Sequence, residues 1–519
     1  MASSDLEAQS QPTEKPSFQN LESFKVSFEP DDPNNPKNFT SVYKIWLVFQ
    51  MSLLAMTGAL GSSIISPASP KIAEYANIST EVTSLTVALF VLGWAVGPMI
   101  WAPISETYGR RLGMLPAMFV LGLFSIGTAT SKSAVAIFLT RFFGGIFASA
   151  PISNVPAALG DIFLPATRGN AMTFVSLCIT GGPTIGPIVG SALTVNDKLG
   201  WRWTEYIEAI IAFFLFGLCA LCLPETYAPV LLKQKAQRLR KSTGDDRYWH
   251  PHEEEKISVH NIVTKHLARP LLMLFTEPMV TLIAIYASFT YSLIYLTLEV
   301  FPIVFSDDRH WGLVISTLPF LSILVGVLCA VLINFANQPR YKRVVEAAQG
   351  KAVPEARLPP IFIGGVLLSI GLFWFGWTAD PKYPWPSSVI AAGKKCEAMH
   401  TLGVNTPCVA DTQIIGFIAA GFSVVFQQCL NFLVDTYGQF AASAVSANTI
   451  LRSVFACAMP IAARPMFENL GLGPAASLLG GISCLALPVP FLFMRYGQEL
   501  RAKSRFAEEI RNGPRTRII

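Results

Sequence analysis

Arg141, Glu299 and Arg452 are charged side chains set inside long apolar runs, and Asp161 and Asp435 close two others. An ionisable group in such a place either pairs with an opposite charge and stays fixed, or takes up and releases a proton as its surroundings change. Arg141 lies about six residues into the run 135–160, where an unpaired cation facing hydrocarbon costs about 2.5–3.5 kcal/mol on insertion scales. It is expected to face a cavity. Glu299 lies at a similar depth in the run 278–305. The two are expected to meet, directly or through a bound molecule, with Glu299 carrying a proton and Arg141 tuning its affinity. A static ion pair is the competing reading. Asp435 and Arg452 are expected to satisfy one another, structurally or as part of a gate to which Asp161 also contributes.

Uncharged polar groups add a second constellation. Tyr291 and Tyr295 are four apart, as are Gln427 and Asn431, so each pair shares one helix face. With Gln428 they supply polar contacts to a ligand in a greasy cavity, or else polarity for helix packing. Glu205 and Glu208 stand beside Trp201, Arg202 and Trp203, a mixture that reads first as an interfacial anchor.

The elements that must position these groups are membrane spans. Of the 519 residues 52% are hydrophobic and 14% charged, against about 25% charged in a soluble domain. Apolar runs of about 20 residues recur, each long enough to cross a bilayer. Twelve are expected, near 44–66, 82–103, 112–131, 135–160, 170–194, 204–224, 278–305, 312–335, 359–378, 412–433, 446–467 and 474–496. The fifth contains "GPTIGPIVGSAL". Gly182, Gly186 and Gly190 fall on one face and admit another helix closely, while Pro183 and Pro187 loosen the hydrogen-bond ladder and favour a kink. Such a helix suits a pivot between rocking bundles, and small-residue packing alone is the plainer reading.

About 28 of the 39 Lys and Arg fall on one side if both termini are cytoplasmic, the asymmetry of the positive-inside rule. Residues 1–40 read as a disordered cytoplasmic tail. Residues 41–224 form one six-helix bundle, 225–277 a cytoplasmic linker, 278–496 a second bundle and 497–519 a cytoplasmic tail. Such a division favours a two-fold repeat with a substrate site between the halves. Within the linker, Val230, Leu231, Leu232, Ala236 and Leu239 alternate with basic residues, as in a helix lying on the inner leaflet or in a solvated connector. The nine cysteines give neither a zinc site nor a redox motif. Cys396 and Cys408, in a long outer loop, are chemically free to form a disulfide. The sequon at Asn77 is outside in this topology and open to glycosylation, while that at Asn38 is cytoplasmic.

The fifth-span stretch resembles the antiporter signature of exporters of the major facilitator superfamily. "APISETYGRR" resembles the superfamily's loop motif after span two, with Ala102 in place of Gly and Glu106 in place of Asp, departures that look like the version in fungal twelve-span drug:proton antiporters. "RFFGG" resembles the fourth-span arginine motif. "PETYAPVLL", "PEARLPP", "FGWTAD" and "AASAVSANTILRS" look like the same fungal group, and the similarity runs from about 30 to about 505, with the outer loop 379–411 departing most. The resemblance implies an all-α polytopic protein of two six-helix bundles. It implies gating by Glu106, Gly109, Arg110 and Arg111 and by Gly182, Gly186, Pro187 and Gly190. Physically, charges at the membrane's inner surface can latch the cytoplasmic gate in one of two states.

Enzymatic activity is poorly supported: GxSxG, HExxH and GxxxxGK[ST] patterns are absent, and the basic residues in loops do not form a nucleic-acid patch. No cofactor and no metal are expected. The expected function is proton-coupled export of an amphipathic small molecule, a drug or fungal secondary metabolite, by a monomer in the plasma membrane or the vacuolar membrane. Polyamine export, in which Glu205 and Glu208 would meet a cationic substrate, nutrient uptake and a non-transporting sensor are the alternatives.

Overall fold

In the computed structural model of the chain the structure describes residues 24–163, 165–253, 268–348, 353–379, 409–437 and 440–503. Twelve helices in it are long and apolar enough to span a membrane. They are α1 (Ser41–Gly61), α2 (Leu85–Tyr108), α3 (Arg110–Thr130), α4 (Ala134–Ile162), α5 (Pro165–Val195) and α6 (Arg202–Cys222). After the linker come α7 (Pro278–Phe301), α8 (Phe320–Ala347), α9 (Leu358–Thr378), α10 (Val409–Tyr437), α11 (Ala441–Leu470) and α12, which runs as Leu472–Ala486 and Pro488–Lys503. Each expected span falls on one of them. Prolines inside α2, α3, α4, α5, α8 and α11 are tolerated in membrane helices because neighbouring helices, Ser/Thr side chains and local adjustments of the backbone satisfy the carbonyls that they free.

The packing repeats. In the first six helices α1 packs on α5, α2 on α4, and α3 on α4 and α6; in the second six α7 packs on α11, α8 on α10, and α9 on α10 and α12. Adding six to each number converts one set into the other. The two bundles meet along α2 with α11 and α5 with α8, pairs that the same operation exchanges.

The three glycines of α5 allow its approach to α1. A Cβ added at Gly182 would sit 2.8 Å from the Met56 carbonyl oxygen, at Gly186 2.1 Å from Ser63 Oγ, and at Gly190 2.0 Å from the Ile64 carbonyl oxygen. The stripe therefore faces a helix of its own bundle, not the bundle boundary. α5 nonetheless reaches the boundary with its other side, through Ser191 and Thr317.

The linker and the N-terminal segment lie on one face of the molecule, the linker face. The linker forms a helix, Ala228–Thr243, which buries Val230 and Ala236 and leaves Leu231, Leu232 and Leu239 half-buried. Residues 24–40 depart from the expected disordered tail. Lys25 pairs with Trp249 in a parallel bridge, Asp32 bonds Lys235 at 2.7 Å, and Asn35 caps a short 3-10 turn. Asp32 is held below its ordinary range chiefly by that lysine hydrogen bond. Asn77 is exposed at a left-handed helix end, φ 52°, on the opposite, far face. Cys396 and Cys408 lie outside the described residues. Cys219 and Cys222 do form a C-x-x-C spacing, but it is one helical turn of α6 and both thiols are free.

Candidate functional site

Arg141 enters α4 seven residues after its start, about 10 Å from the far-face end at 1.5 Å per residue. It is buried and does not meet Glu299. Its Nη1 donates to Glu205 Oε1 at 3.1 Å and stands 3.8 Å from Glu208 Oε2. Its Nε donates to the Thr86 carbonyl at 2.9 Å, and its Nη2 to the carbonyls of Gly61 and Ser62 at 2.7 and 3.3 Å. The guanidinium also lies 4.1 Å from the Phe90 ring centre. Glu205 and Glu208 are 0% exposed, so they are core groups and not an interfacial anchor. The reason is rotational: three residues apart on α6, both turn toward α1 and α4, while Arg202 turns out to stack on Tyr75 and Trp201.

Glu299 belongs to the other bundle, half-buried on α7 and in the field of Arg464 of α11. Arg464 itself pairs with Glu468 at 3.0 Å and Asp307 at 3.5 Å. Arg141 and Glu299 share depth but not location, because α4 and α7 are not packed on one another.

The expected Asp435–Arg452 pair is also corrected. Asp435 Oδ2 accepts from Arg357 Nε at 3.0 Å and from the Tyr341 hydroxyl at 2.7 Å, and the Arg357 guanidinium lies 3.5 Å from the Tyr341 ring centre. Arg452, further along α11, lies instead 4.5 Å from the Tyr291 ring centre and 5.2 Å from that of Phe426. It makes no salt bridge among the described residues. A turn away on α11, Asn448 is fully buried with neither amide atom bonded.

The first bundle carries a counterpart of the Asp435–Arg357 ion pair at the same face. Arg110 Nε donates to Asp161 Oδ2 at 2.8 Å, and its guanidinium lies 4.5 Å from the Tyr227 ring centre. Arg111 donates instead to the Ala220 carbonyl. Glu225 completes the site, accepting from the backbone N–H of Arg110 at 2.8 Å and of Arg111 at 3.1 Å, a carboxylate seated on the first turn of α3. Gly109 makes room for it: φ is +104°, and a Cβ there would lie 2.2 Å from Glu225 Oε2. Glu106 is half-buried on the last turn of α2.

Between the bundles runs a chain of polar and aromatic contacts. Ser62 Oγ and the Tyr295 hydroxyl are 3.1 Å apart, and Tyr295 packs edge-on to Trp94 and next to Tyr291. Toward the linker face Gln427 donates to Thr173 Oγ1 at 2.8 Å and accepts from Asn334 at 2.7 Å, while Gln428 donates to Asn334 Oδ1 at 2.6 Å. Tyr295, with Tyr291 packed against it, and Gln427 thus each touch the first bundle, at separate points of the boundary. Asn431 is half-buried one turn further along α10. A separate cavity of about 40 Å³, lined by apolar groups such as Leu293, Phe301, Ile323 and Phe422, lies within the second bundle, away from these groups.

Glu225, Arg357 and Tyr341 are functional candidates that sequence reasoning missed. Glu225 and Arg357 lie inside "PETYAPVLL" and "PEARLPP", stretches whose charged residues fall just outside the apolar runs, so their signal was position at a helix end.

A profile of the Major Facilitator Superfamily matches residues 51–460. The chain belongs to that superfamily. It is 39% identical to "Efflux pump bik6" of Gibberella fujikuroi, over 93% of this chain and 95% of that one. It is 37% identical to "Major facilitator superfamily multidrug transporter FLU1" of Candida albicans, over 93% and 76%. With "Citrinin biosynthesis cluster MFS transporter mrr1" of Monascus ruber it shares 38%, over 97% and 96%. Among solved structures, a D-xylose-proton symporter superposes with a TM-score of 0.58 at 17% identity, covering 87% of this chain and 97% of that one. In this major facilitator transporter the repeat of packing pairs is the fold's two-bundle symmetry, and the arginines of the two ion pairs follow the equivalent helices α2 and α8.

Proposed function

We propose that this transporter exports an amphipathic small molecule from the cytoplasm by alternating access, driven by protons moving inward. The observation that carries the reading is the matched pair of latches, Arg110–Asp161 and Arg357–Asp435, at the linker face of both bundles. Two equivalent ion pairs at one end of a two-fold structure suit a gate that must break and re-form as the bundles rock. The basic residues of the linker and tails support placing that face in the cytoplasm, with both termini, in a monomer of the plasma membrane. Tyr291, Tyr295, Gln427 and Asn431, with Trp94 and Phe426, form the substrate path in this reading. The relatives' names, efflux pump and multidrug transporter, favour export over uptake. Against polyamines as substrates of Glu205 and Glu208 stands their burial, at most 1% exposed, beside Arg141.

The driving force is adequate: one charge crossing about 100 mV contributes about 2.3 kcal/mol before any pH gradient is added. The test is efflux of a compound panel from pump-deficient yeast, with and without a protonophore. Export abolished by the protonophore is expected; protonophore-insensitive efflux would mean facilitation.

A further inference from the structure

Two buried carboxylates share one buried cation in the first bundle. The side chains of Arg141, Glu205 and Glu208 are each at most 1% exposed. Among the described residues no other charged group is paired with them. α1 presents the carbonyls of Gly61 and Ser62, α2 that of Thr86, and α3 the Ser125 hydroxyl, which gives its hydrogen to Leu121. α5 carries no charged residue between Ala171 and Val195, and the charged residues of α1, α2 and α3 stand at their linker-face ends. With both carboxylates ionised the cluster is a net anion in an apolar interior, which is strongly unfavourable. With one proton it is neutral.

The hydrogen bonds show where that proton belongs. In full hydrogen-bonding geometry neither oxygen of Glu208, nor Glu205 Oε2, has a partner among the described residues; the Ser125 hydroxyl beside Glu208 gives its hydrogen to Leu121. A buried, unpartnered carboxyl aimed at a guanidinium already engaged elsewhere is an open site for a proton. We propose that Glu205 and Glu208 share a single exchangeable proton beside Arg141, and that this is the proton that drives transport. The inference rests on the proton-coupled reading above and moves its carrier from Glu299 to α6.

The geometry also supplies the coupling. When the proton leaves, Glu208 becomes a full charge 3.8 Å from Arg141 Nη1 and draws the guanidinium toward it, away from the Gly61 and Ser62 carbonyls held by Nη2. That turn of α1 is the one whose Ser62 hydroxyl bonds Tyr295 of the second bundle. Gly61 lets the turn seat against the carboxyl, since a Cβ there would lie 1.7 Å from Glu208 Oε1. Proton occupancy thus biases a contact between the bundles.

Infrared difference spectroscopy of the purified full chain between high and low pH tests this without a known substrate. The carbonyl band of a protonated buried carboxylic acid is expected in the wild type. It is expected to vanish in Glu208→Gln and in Glu205→Gln, because each leaves a neutral one-to-one pair with Arg141, and to persist in Glu299→Gln. Glu208→Asp, which keeps the carboxyl, is the folding control and retains the band. A band that survives either glutamine substitution, or that disappears only with Glu299, overturns the proposal. In proteoliposomes loaded with rhodamine 6G, the acceleration of dye movement by an imposed pH gradient is expected to be lost in Glu208→Gln. A wild type that moves no dye or panel compound while the band titrates as stated would sink the transport reading and leave the proton site standing.

Discussion

The two bundles carry the same latch and different intramembrane arginines. At the linker face, Arg110 with Asp161 and Tyr227 is matched by Arg357 with Asp435 and Tyr341, each an arginine at a helix start, an aspartate at a helix end and an aromatic ring under the guanidinium. Deeper in, Arg141 is held by two carboxylates, while Arg452 rests on Tyr291 and Phe426 with no carboxylate partner among the described residues. The difference teaches a division of labour. On the proposed function, the repeated feature would serve a motion that both halves share and the unrepeated one a task that only one half performs: a cluster with one cation and two acids changes charge when a proton moves, and a lone arginine does not.

The sharpest way to break this comparison is to remove each arginine. Arg141→Ala leaves two buried carboxylates without a cation and is expected to lower stability by about 3–5 kcal/mol. Arg452→Ala strands no buried anion and gives up mainly its stacking, about 0.5–2 kcal/mol. Thermal unfolding in detergent would measure both; equal losses would mean that the two arginines do the same work. The latches make the opposite prediction. Asp161→Asn and Asp435→Asn each remove a charged hydrogen-bond acceptor, at about 1.5–3 kcal/mol, and the two values are expected to agree closely. Unequal values would show that the latches are alike only in outline.

Gly109 sharpens the comparison further, since the second bundle's latch reaches its arginine through the 3-10 turn Pro354–Arg357 without such a residue. Gly109→Ala forces a side chain into a backbone region reserved for glycine and onto Glu225, at about 1–3 kcal/mol. Ala356→Gly, its nearest counterpart, is expected to change stability far less in the same unfolding assay. The smallest effect concerns the N-terminal segment, which docks on the linker and has no counterpart in the second half. Because Asp32 is depressed in the folded state, its contribution is complete above the ordinary value of 3.8 and is lost as the pH falls through the lowered one. Hydrogen exchange of residues 24–40 should therefore quicken only in strongly acidic solution. Lys235→Ala should weaken that pH dependence, leaving the part due to the Asn34 hydrogen bonds, and quickening already near neutral pH would show that another group holds the segment.

Much of this was legible in the chain. All twelve spans were readable from apolar runs, and Arg141, Arg452, Asp161 and Asp435 stood out because charge is costly there. The pairings were not. Arg141 was assigned to Glu299 and Asp435 to Arg452, while their partners, Glu205, Glu208 and Arg357, looked like a membrane anchor and a loop. Hydropathy reports how deep a residue sits, and a pair of glutamates near a helix start has the same depth whether it faces water, lipid or the bundle core.

By itself the sequence determined that the chain crosses a bilayer twelve times, since each run of about 20 apolar residues must satisfy its backbone internally as a helix. It also determined which charged groups had to be buried or at an interface. Only the tertiary structure decided which of them touch, because a partner is selected by the rotation of each helix and by which helices pack together. Neither is written in the spacing along any one helix.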